Sequence, residues 1–206
     1  MFEKALERDA ADSLALLGST GLLRSAYLAG GTAAALHLGH RISVDFDFFT
    51  PAEFSPRDYA TQLAKIGAFN EETAEKGTIT GKFQGVRFSL FLYEYPLLFE
   101  TEEFKSLRIA DIRDISAMKV DAIAGRGAKR DFIDLYFICR SGYGLKEILG
   151  YYDKKYGTLA SNRIHIYKSL VYFDDAEQDS MPHMLAEGSW DIVKEYFRSE
   201  IKNLTR

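Results

Sequence analysis

The chain has 206 residues, 47% hydrophobic, 27% charged and 14% aromatic, proportions of a globular protein that buries its own core rather than of a disordered or collagen-like chain. Its single cysteine, Cys139, excludes a disulfide framework and any multi-cysteine zinc site, and no apolar run reaches the roughly 18 residues that cross a bilayer. The net charge of −4 covers an uneven distribution: residues 104–168 carry 13 Lys+Arg against 7 Asp+Glu, between two acidic ends, which favours an anionic ligand near the middle, although solvated helix faces give the same count.

In chain order, Phe2, Leu6, Ala10, Leu14 and Leu17 recur at three- and four-residue steps and predict an amphipathic helix over 3–17. A short apolar segment, 26–29, leads to Gly30-Gly31-Thr32 and a short Ala- and Leu-rich helix to Leu38, stopped by Gly39. Residues 42–49, ISVDFDFF, alternate like a strand, and Pro56 opens a helix over 57–66. Residues 67–95 hold two or three β segments punctuated by Gly77, Gly81 and Gly85. From Asp111, of a residue type favoured at N-caps, the period becomes helical: 111–125, 131–140, then patterns near 144–153, 158–172 and 189–203. The expected organisation is α+β: residues 1–104 with a small mixed sheet and flanking helices, and residues 105–206 as a helical bundle packed against it with a cleft between. The charged N-terminus does not read as a secretory signal, so a reducing, cytoplasmic setting without a membrane is expected.

The chemistry concentrates in residues 30–50, GGTAAALHLGHRISVDFDFFT. On a strand Ser43, Asp45 and Asp47 share one face, while Val44, Phe46 and Phe48 point into a core. Two carboxylates two residues apart lie roughly 6.6 Å apart along the chain, close enough to converge on one hard cation or bridge two. Gly30-Gly31 lets backbone approach a ligand, the helix N-terminus suits a phosphate, and Thr32 adds a hydroxyl donor. A pairing of the two acids with Arg41 or His40 is the purely structural alternative.

A second segment, AMKVDAIAGRGAKRDFIDLYFI, places Lys119 among apolar helix residues, on the side away from Ile112 and Ile123, where it can reach a phosphate. Arg130 and Asp134 are four apart and can pair; Asp131 sits near a helix start, where a carboxylate suits a cap or the helix dipole. These three residues either contact a ligand or lock two helices together. His37, His40, His165 and His183 make no metal cluster and read as surface or capping residues, and Cys139 reads as core. Tyr151, Tyr152, Tyr156, Tyr167 and Tyr172 interleave with basic residues, as in single-strand binders, but their helical spacing favours a tyrosine-rich core.

Gly-Gly-Thr, a short helix, S-x-D-x-D, then K-x10-R-D-x-x-D-L resembles the AbiEii/AbiGii-type nucleotidyltransferase toxins of the DNA polymerase β-like superfamily. The resemblance implies a polymerase-β-like fold and transfer of a nucleoside monophosphate from an NTP to an acceptor hydroxyl. It implies Mg²⁺ or Mn²⁺ on Asp45 and Asp47, and nucleotide contacts from Gly30, Gly31, Thr32, Ser43, Lys119, Arg130, Asp131 and Asp134. Asp45, Asp47 and Lys119 are the catalytic candidates. It also implies RNA, including the tRNA 3′ end, as acceptor and a cognate antitoxin as partner. One departure stands out. On the later strand 86–93, where the superfamily commonly carries a third metal-side carboxylate, this chain has Ser89, which leaves a catalytically silent nucleotide- or RNA-binding module as the alternative.

Overall fold

The computed structural model describes residues 1–157 and 160–206; Thr158 and Leu159, at the start of the predicted 158–172 helix, lie outside the described residues. The chain opens with a 3-10 turn, Glu3–Ala5, and then helix α1, Arg8–Thr20. The predicted single helix over 3–17 is thus interrupted. Leu6 is extended and bridges Ser43 in parallel, and the Ser43 N–H donates to the Ala5 carbonyl, so a tertiary strand contact overrides the helical period.

Strand β1, Tyr27–Leu28, feeds helix α2, Gly30–Leu38, which ends at Gly39 in the left-handed conformation. Strand β2, Asp45–Thr50, is followed by α3, Pro56–Ile66, whose cap is Ser55 accepting from the Asp58 N–H, with Pro56 in the first turn. Three strands follow: β3, Phe69–Glu75, β4, Thr78–Phe83, and β5, Val86–Leu92. A further hairpin, β6, Glu102–Phe104, and β7, Leu107–Ile109, was absent from the sequence reading. Its two turn residues, Lys105 and Ser106, both have positive φ, as a tight hairpin turn demands, yet neither belongs to the residue types that announce one. The division at 104/105 falls inside this hairpin, and the sheet continues to Ile109.

The strands form one mixed sheet in the order β3-β4-β5-β2-β1-β7-β6, with β2 parallel to β5, β1 parallel to β7 and the other neighbours antiparallel. Phe46, Phe48, Ile79, Phe83, Phe88 and Leu90, all buried, point from one face into the core with Leu14 and Leu17 of α1 and Leu63 of α3. The other face is left for the helical half: α4, Ile112–Arg126, α5, Lys129–Arg140, α6, Leu145–Tyr156, α7, Ala160–Ser169, α8, Asp174–Glu177, and α9, Trp190–Leu204. Asp111 caps α4 by accepting from the Arg113 N–H at 2.8 Å. Helix α2 packs against both α4 and α5 and so joins the glycine turn to the helical acids. Among the described residues no helix is long and apolar enough to cross a membrane.

Candidate active site

Asp45 and Asp47 leave β2 on its open face, while Phe46 and Phe48 are fully buried on the other. The alternation is as expected from Asp45 onward, but Val44 is 48% exposed: the strand begins only at Asp45, so Val44 never enters the core. The parallel register sets Arg87 opposite Asp45 and Ser89 opposite Asp47. The Ser89 hydroxyl donates to Asp47 Oδ1 at 2.7 Å. A hydroxyl therefore fills the position where a third carboxylate was looked for, and it steadies the second. Among the described residues no three His, Cys, Asp or Glu side chains converge. Two carboxylates on one strand face are still a donor set of the right hardness for Mg²⁺ or Mn²⁺, which take their remaining oxygens from phosphates and water.

The glycine turn is pressed against these acids. Gly30 has φ of 65°, and a Cβ there would lie 2.7 Å from Asp47 Oδ2. A Cβ on Gly31 would lie 2.5 Å from Arg41 Nη2. Both positions exclude a side chain, the first on backbone grounds as well. Thr32 departs from expectation. Its hydroxyl is buried against the Asp45 carbonyl and 2.9 Å from Ser43 Oγ, so it ties α2 to β2 and is not presented to a phosphate. Ser43 is buried in the same contact.

The helical acids behave differently from the strand acids. Asp134 is fully buried; its oxygens accept from Arg41 Nε at 2.7 Å and Nη2 at 2.9 Å, from His40 Nε2 at 2.8 Å, and pair with Lys119 Nζ at 2.7 Å. Asp131, equally buried, accepts from Lys119 Nζ at 2.8 Å and from Arg126 Nε at 2.8 Å and Nη2 at 3.1 Å. Burial alone would raise both carboxyls, but Lys119 and the arginines outweigh it: Asp131 is lowered and Asp134 held well below the usual range. Lys119 is raised, the two acids outweighing its burial. Asp131 and Asp134 set against Lys119, Arg41 and Arg126 leave one positive charge. With Arg130, Asp45 and Asp47 the crevice as a whole is neutral, so a cation on the two strand acids would turn it to the sign that suits a phosphate.

Several expectations change here. Lys119 does not stand away from Ile112 and Ile123; seven residues make two turns, so Ile112, Ile115, Lys119 and Ile123 form one buried stripe, and the ammonium ends between two aspartates. Arg130 does not pair with Asp134. Its Nη1 reaches across the cleft to Asp45 Oδ2 at 3.3 Å, with half of the arginine side chain in solvent. Asp131 lies in the first turn of α5, as expected, but does not cap it; the Lys129 N–H donates instead to Asp179 Oδ2. Arg41 and His40, weighed as partners for the strand acids, hold Asp134. His40 is therefore buried, not a surface residue. Cys139 is core as expected, its thiol pushed up to about 12 by burial.

Gly30, Gly31, Ser43, Asp45, Asp47, Lys119 and Arg130 thus line one crevice, joined by Arg41 and Arg126. Asp131 and Asp134 stand behind it as anchors for its cations. Arg126, bidentate on Asp131 and 56% exposed, was missed because nothing in its immediate sequence marks it; its partner lies five residues on, past the turn at Gly127. Three larger cavities open from the crevice. The largest, of about 470 Å³, is walled by Ile42, Val44, Ala128, Pro182 and His183. Of the other two, one, of about 180 Å³, runs over Ser89, Thr80, Arg87 and Glu72; the second, of about 370 Å³, lies between the sheet and α4 and is walled by Phe49, Phe91, Tyr93, Met118 and Tyr156. Tyr156 was read only as one of a tyrosine-rich series, of which Tyr152 is buried and Tyr172 half exposed.

With this geometry in view, the comparisons agree. A protein of Aquifex aeolicus, itself described as uncharacterized, is 38% identical over 204 residues, 97% of either chain. The nucleotidyltransferase toxin MenT4 of Mycobacterium tuberculosis is similar in structure with a TM-score of 0.60 at 16% identity, over 97% of this chain and 86% of MenT4. JHP933 of Helicobacter pylori is similar with a TM-score of 0.53 at 15% identity, over 97% and 95%. At such identities these likenesses speak for the fold. Residues 15–201 match the family described as Nucleotidyl transferase AbiEii toxin, Type IV TA system, and the chain belongs to that nucleotidyltransferase family.

Proposed function

We propose that the chain transfers a nucleoside monophosphate from an NTP to an acceptor hydroxyl on RNA. The supporting observation is the single crevice that gathers two half-buried strand carboxylates, a side-chain-free glycine turn and a cluster of four cations. Asp45 and Asp47 would hold Mg²⁺ or Mn²⁺, which supplies charge neutralisation at the reacting phosphoryl oxygens. Ser89 keeps Asp47 in one rotamer for this. Gly30 and Gly31 bring backbone N–H groups close to the β- and γ-phosphates. Lys119 and Arg126, fixed by Asp131, contribute positive potential without needing to reorganise. Arg130, once released from Asp45, turns to the phosphates. The acceptor oxygen attacks the α-phosphorus in line, the bond to the β-phosphate oxygen breaks, pyrophosphate leaves with its electrons, and the hydroxyl proton passes to solvent.

The acceptor would approach over Arg87, Thr80 and Ser89, where an arginine in register with Asp45 offers a phosphate contact. The family's place in toxin–antitoxin systems supports a cognate antitoxin as partner, and the lone buried thiol is in keeping with the cytoplasm. Ser89 opposite Asp47 supports a second reading, a module that binds nucleotide or RNA without turnover. One experiment separates them: incubation of the chain with each labelled NTP, Mg²⁺ and total RNA, beside Asp45→Ala/Asp47→Ala. The proposal expects labelled RNA from the parent and none from the double variant, with an unchanged fold by circular dichroism. Equal labelling by both proteins removes the aspartates from catalysis, and metal-dependent NTP binding without labelling selects the silent module.

A further inference from the structure

The cavity between the sheet and α4 has two unlike ends. Gly30, Asp47, Lys119 and Arg126 close one of them. The other is aromatic: the Phe49 ring centroid lies 5.7 Å from that of Phe91 and 5.1 Å from that of Tyr93, and the Tyr93 and Tyr156 hydroxyls are hydrogen-bonded to each other. Ala122 and Gly125 of α4 leave the facing wall low, so a flat ring fits between helix and aromatics. The volume of about 370 Å³ is within the range of small-molecule sites. A nucleotide whose phosphates meet the glycine turn would place its base here, stacked as bases stack on aromatic side chains generally.

One carboxylate stands at this aromatic end. Asp121 lines the cavity from α4, and its charge acts on both Tyr93 and Tyr156, adding to the burial that raises those phenols. Among the described residues no hydrogen bond or ion pair engages it. It is open to solvent at the cavity mouth, yet far enough in for burial to push its carboxyl above the usual range. Asp121 contributes nothing visible to the packing, and the cation cluster does not use it.

We infer that Asp121 reads the base of the bound NTP and favours bases that offer an amino group over uracil. The inference rests on the nucleotide reading above. An ionised carboxylate only accepts hydrogen bonds. Guanine offers it two adjacent donors, N1–H and the 2-amino group; adenine and cytosine each offer an amino group. Uracil offers one N3–H between two carbonyl oxygens, which a carboxylate repels. A single well-placed polar contact of this kind supports discrimination of roughly tenfold.

The test is equilibrium binding of ATP, CTP, GTP and UTP, each with Mg²⁺, to the full chain and to Asp121→Asn, by titration calorimetry. Asparagine keeps the size and replaces one acceptor by a donor, which pairs with a uracil carbonyl. Asp121→Ser is the second variant, and unchanged thermal melts confirm that either is folded. The expected result is a parent chain that binds UTP about tenfold more weakly than the amino-bearing nucleotides, with the gap closing to about twofold or less in both variants. A parent chain that binds all four alike overturns the inference, as does a gap that survives in the variants. A variant that weakens all four ribonucleotides equally but leaves their 2′-deoxy forms untouched assigns Asp121 to the sugar and also overturns it. In these cases NTP still binds and the nucleotide reading stands; a parent chain that binds no NTP overturns both together.

Discussion

Two pairs of aspartates serve the same crevice, one lining it and one behind it, and the protein treats them in opposite ways. Asp131 and Asp134 are fully buried, and Lys119, Arg41, Arg126 and His40 take up their oxygens. Asp45 and Asp47 are half-buried on the open face of β2, held by one serine hydroxyl and one partly exposed arginine. The first pair has its countercharge built in, as a buried carboxylate requires. The second has most of its capacity left for something that arrives. Residue type does not separate these roles, and neither does spacing along the chain. Burial and the number of cations within reach do.

The contrast is broken most severely at Asp134. In Asp134→Ala, Arg41 and His40 lose their buried acceptor and Lys119 keeps only Asp131. Removing one partner of a buried ion pair generally costs about 3–5 kcal/mol, because the remaining charge is left without compensation. The expected outcome is a loss of that order in chemical denaturation, or a chain that no longer folds at all. Asp45→Ala/Asp47→Ala, by comparison, should stay within about 1 kcal/mol of the parent, since among the described residues their side chains are held by a serine and a half-exposed arginine. A double variant as unstable as Asp134→Ala would abolish the distinction.

Acid sharpens the contrast without mutation. The folded carboxyls of Asp131 and Asp134 lie below the ordinary value of 3.8. A lowered folded value means that the unfolded chain takes up protons first, so the stabilisation is complete above about pH 4 and is lost as the pH falls through the folded values. Lys119, raised above 10.5, adds a contribution complete below that value and lost only at higher alkalinity. The thermal midpoint should therefore fall steeply as the pH drops below about 4; a midpoint that holds steady in that range would show that Lys119 and the arginines do not lower these two carboxyls.

The sequence showed the strand pair more clearly than the helical one, for a physical reason. Asp45 and Asp47 belong to a local pattern: alternation puts them on one face with Phe46 and Phe48 on the other, and the glycine turn lies 15 residues upstream in the same segment. Most helices were equally legible, because 3.6-residue periodicity and signals such as Asp111, Pro56 and Gly39 are local too, whereas the four-residue α8 is too short to show a period. Arg41 finding Asp134 across 93 residues has no local signature. Nor has the Leu6–Ser43 bridge that splits the first helix, or the hairpin whose turn is Lys105-Ser106. Lys119 is a different matter: seven residues make two turns, so local periodicity alone puts it with Ile112 on the buried stripe rather than away from it.

The smallest expected effect lies where the two acid systems touch. Arg130 opens α5 next to Asp131, yet gives its guanidinium to Asp45 at 3.3 Å. With 48% of its side chain exposed, the contact is screened and worth no more than about 1 kcal/mol, so Arg130→Ala should leave stability almost unchanged. The contact nonetheless occupies Asp45 Oδ2, one of the oxygens a cation would need. If the pair competes with the metal, Arg130→Ala should bind Mn²⁺ alone more tightly, by up to about fivefold, the equivalent of that 1 kcal/mol. The same substitution removes a cation from the phosphate end of the crevice, so Mg²⁺-NTP should bind more weakly. Titration calorimetry with Mn²⁺ alone and then with Mg²⁺-NTP reads both signs. Opposite signs identify Arg130 as a placeholder that yields Asp45 to the metal and moves to the phosphates. Weakening in both would make it a fixed part of the metal site, and then even the strand pair would depend on a countercharge supplied by the protein.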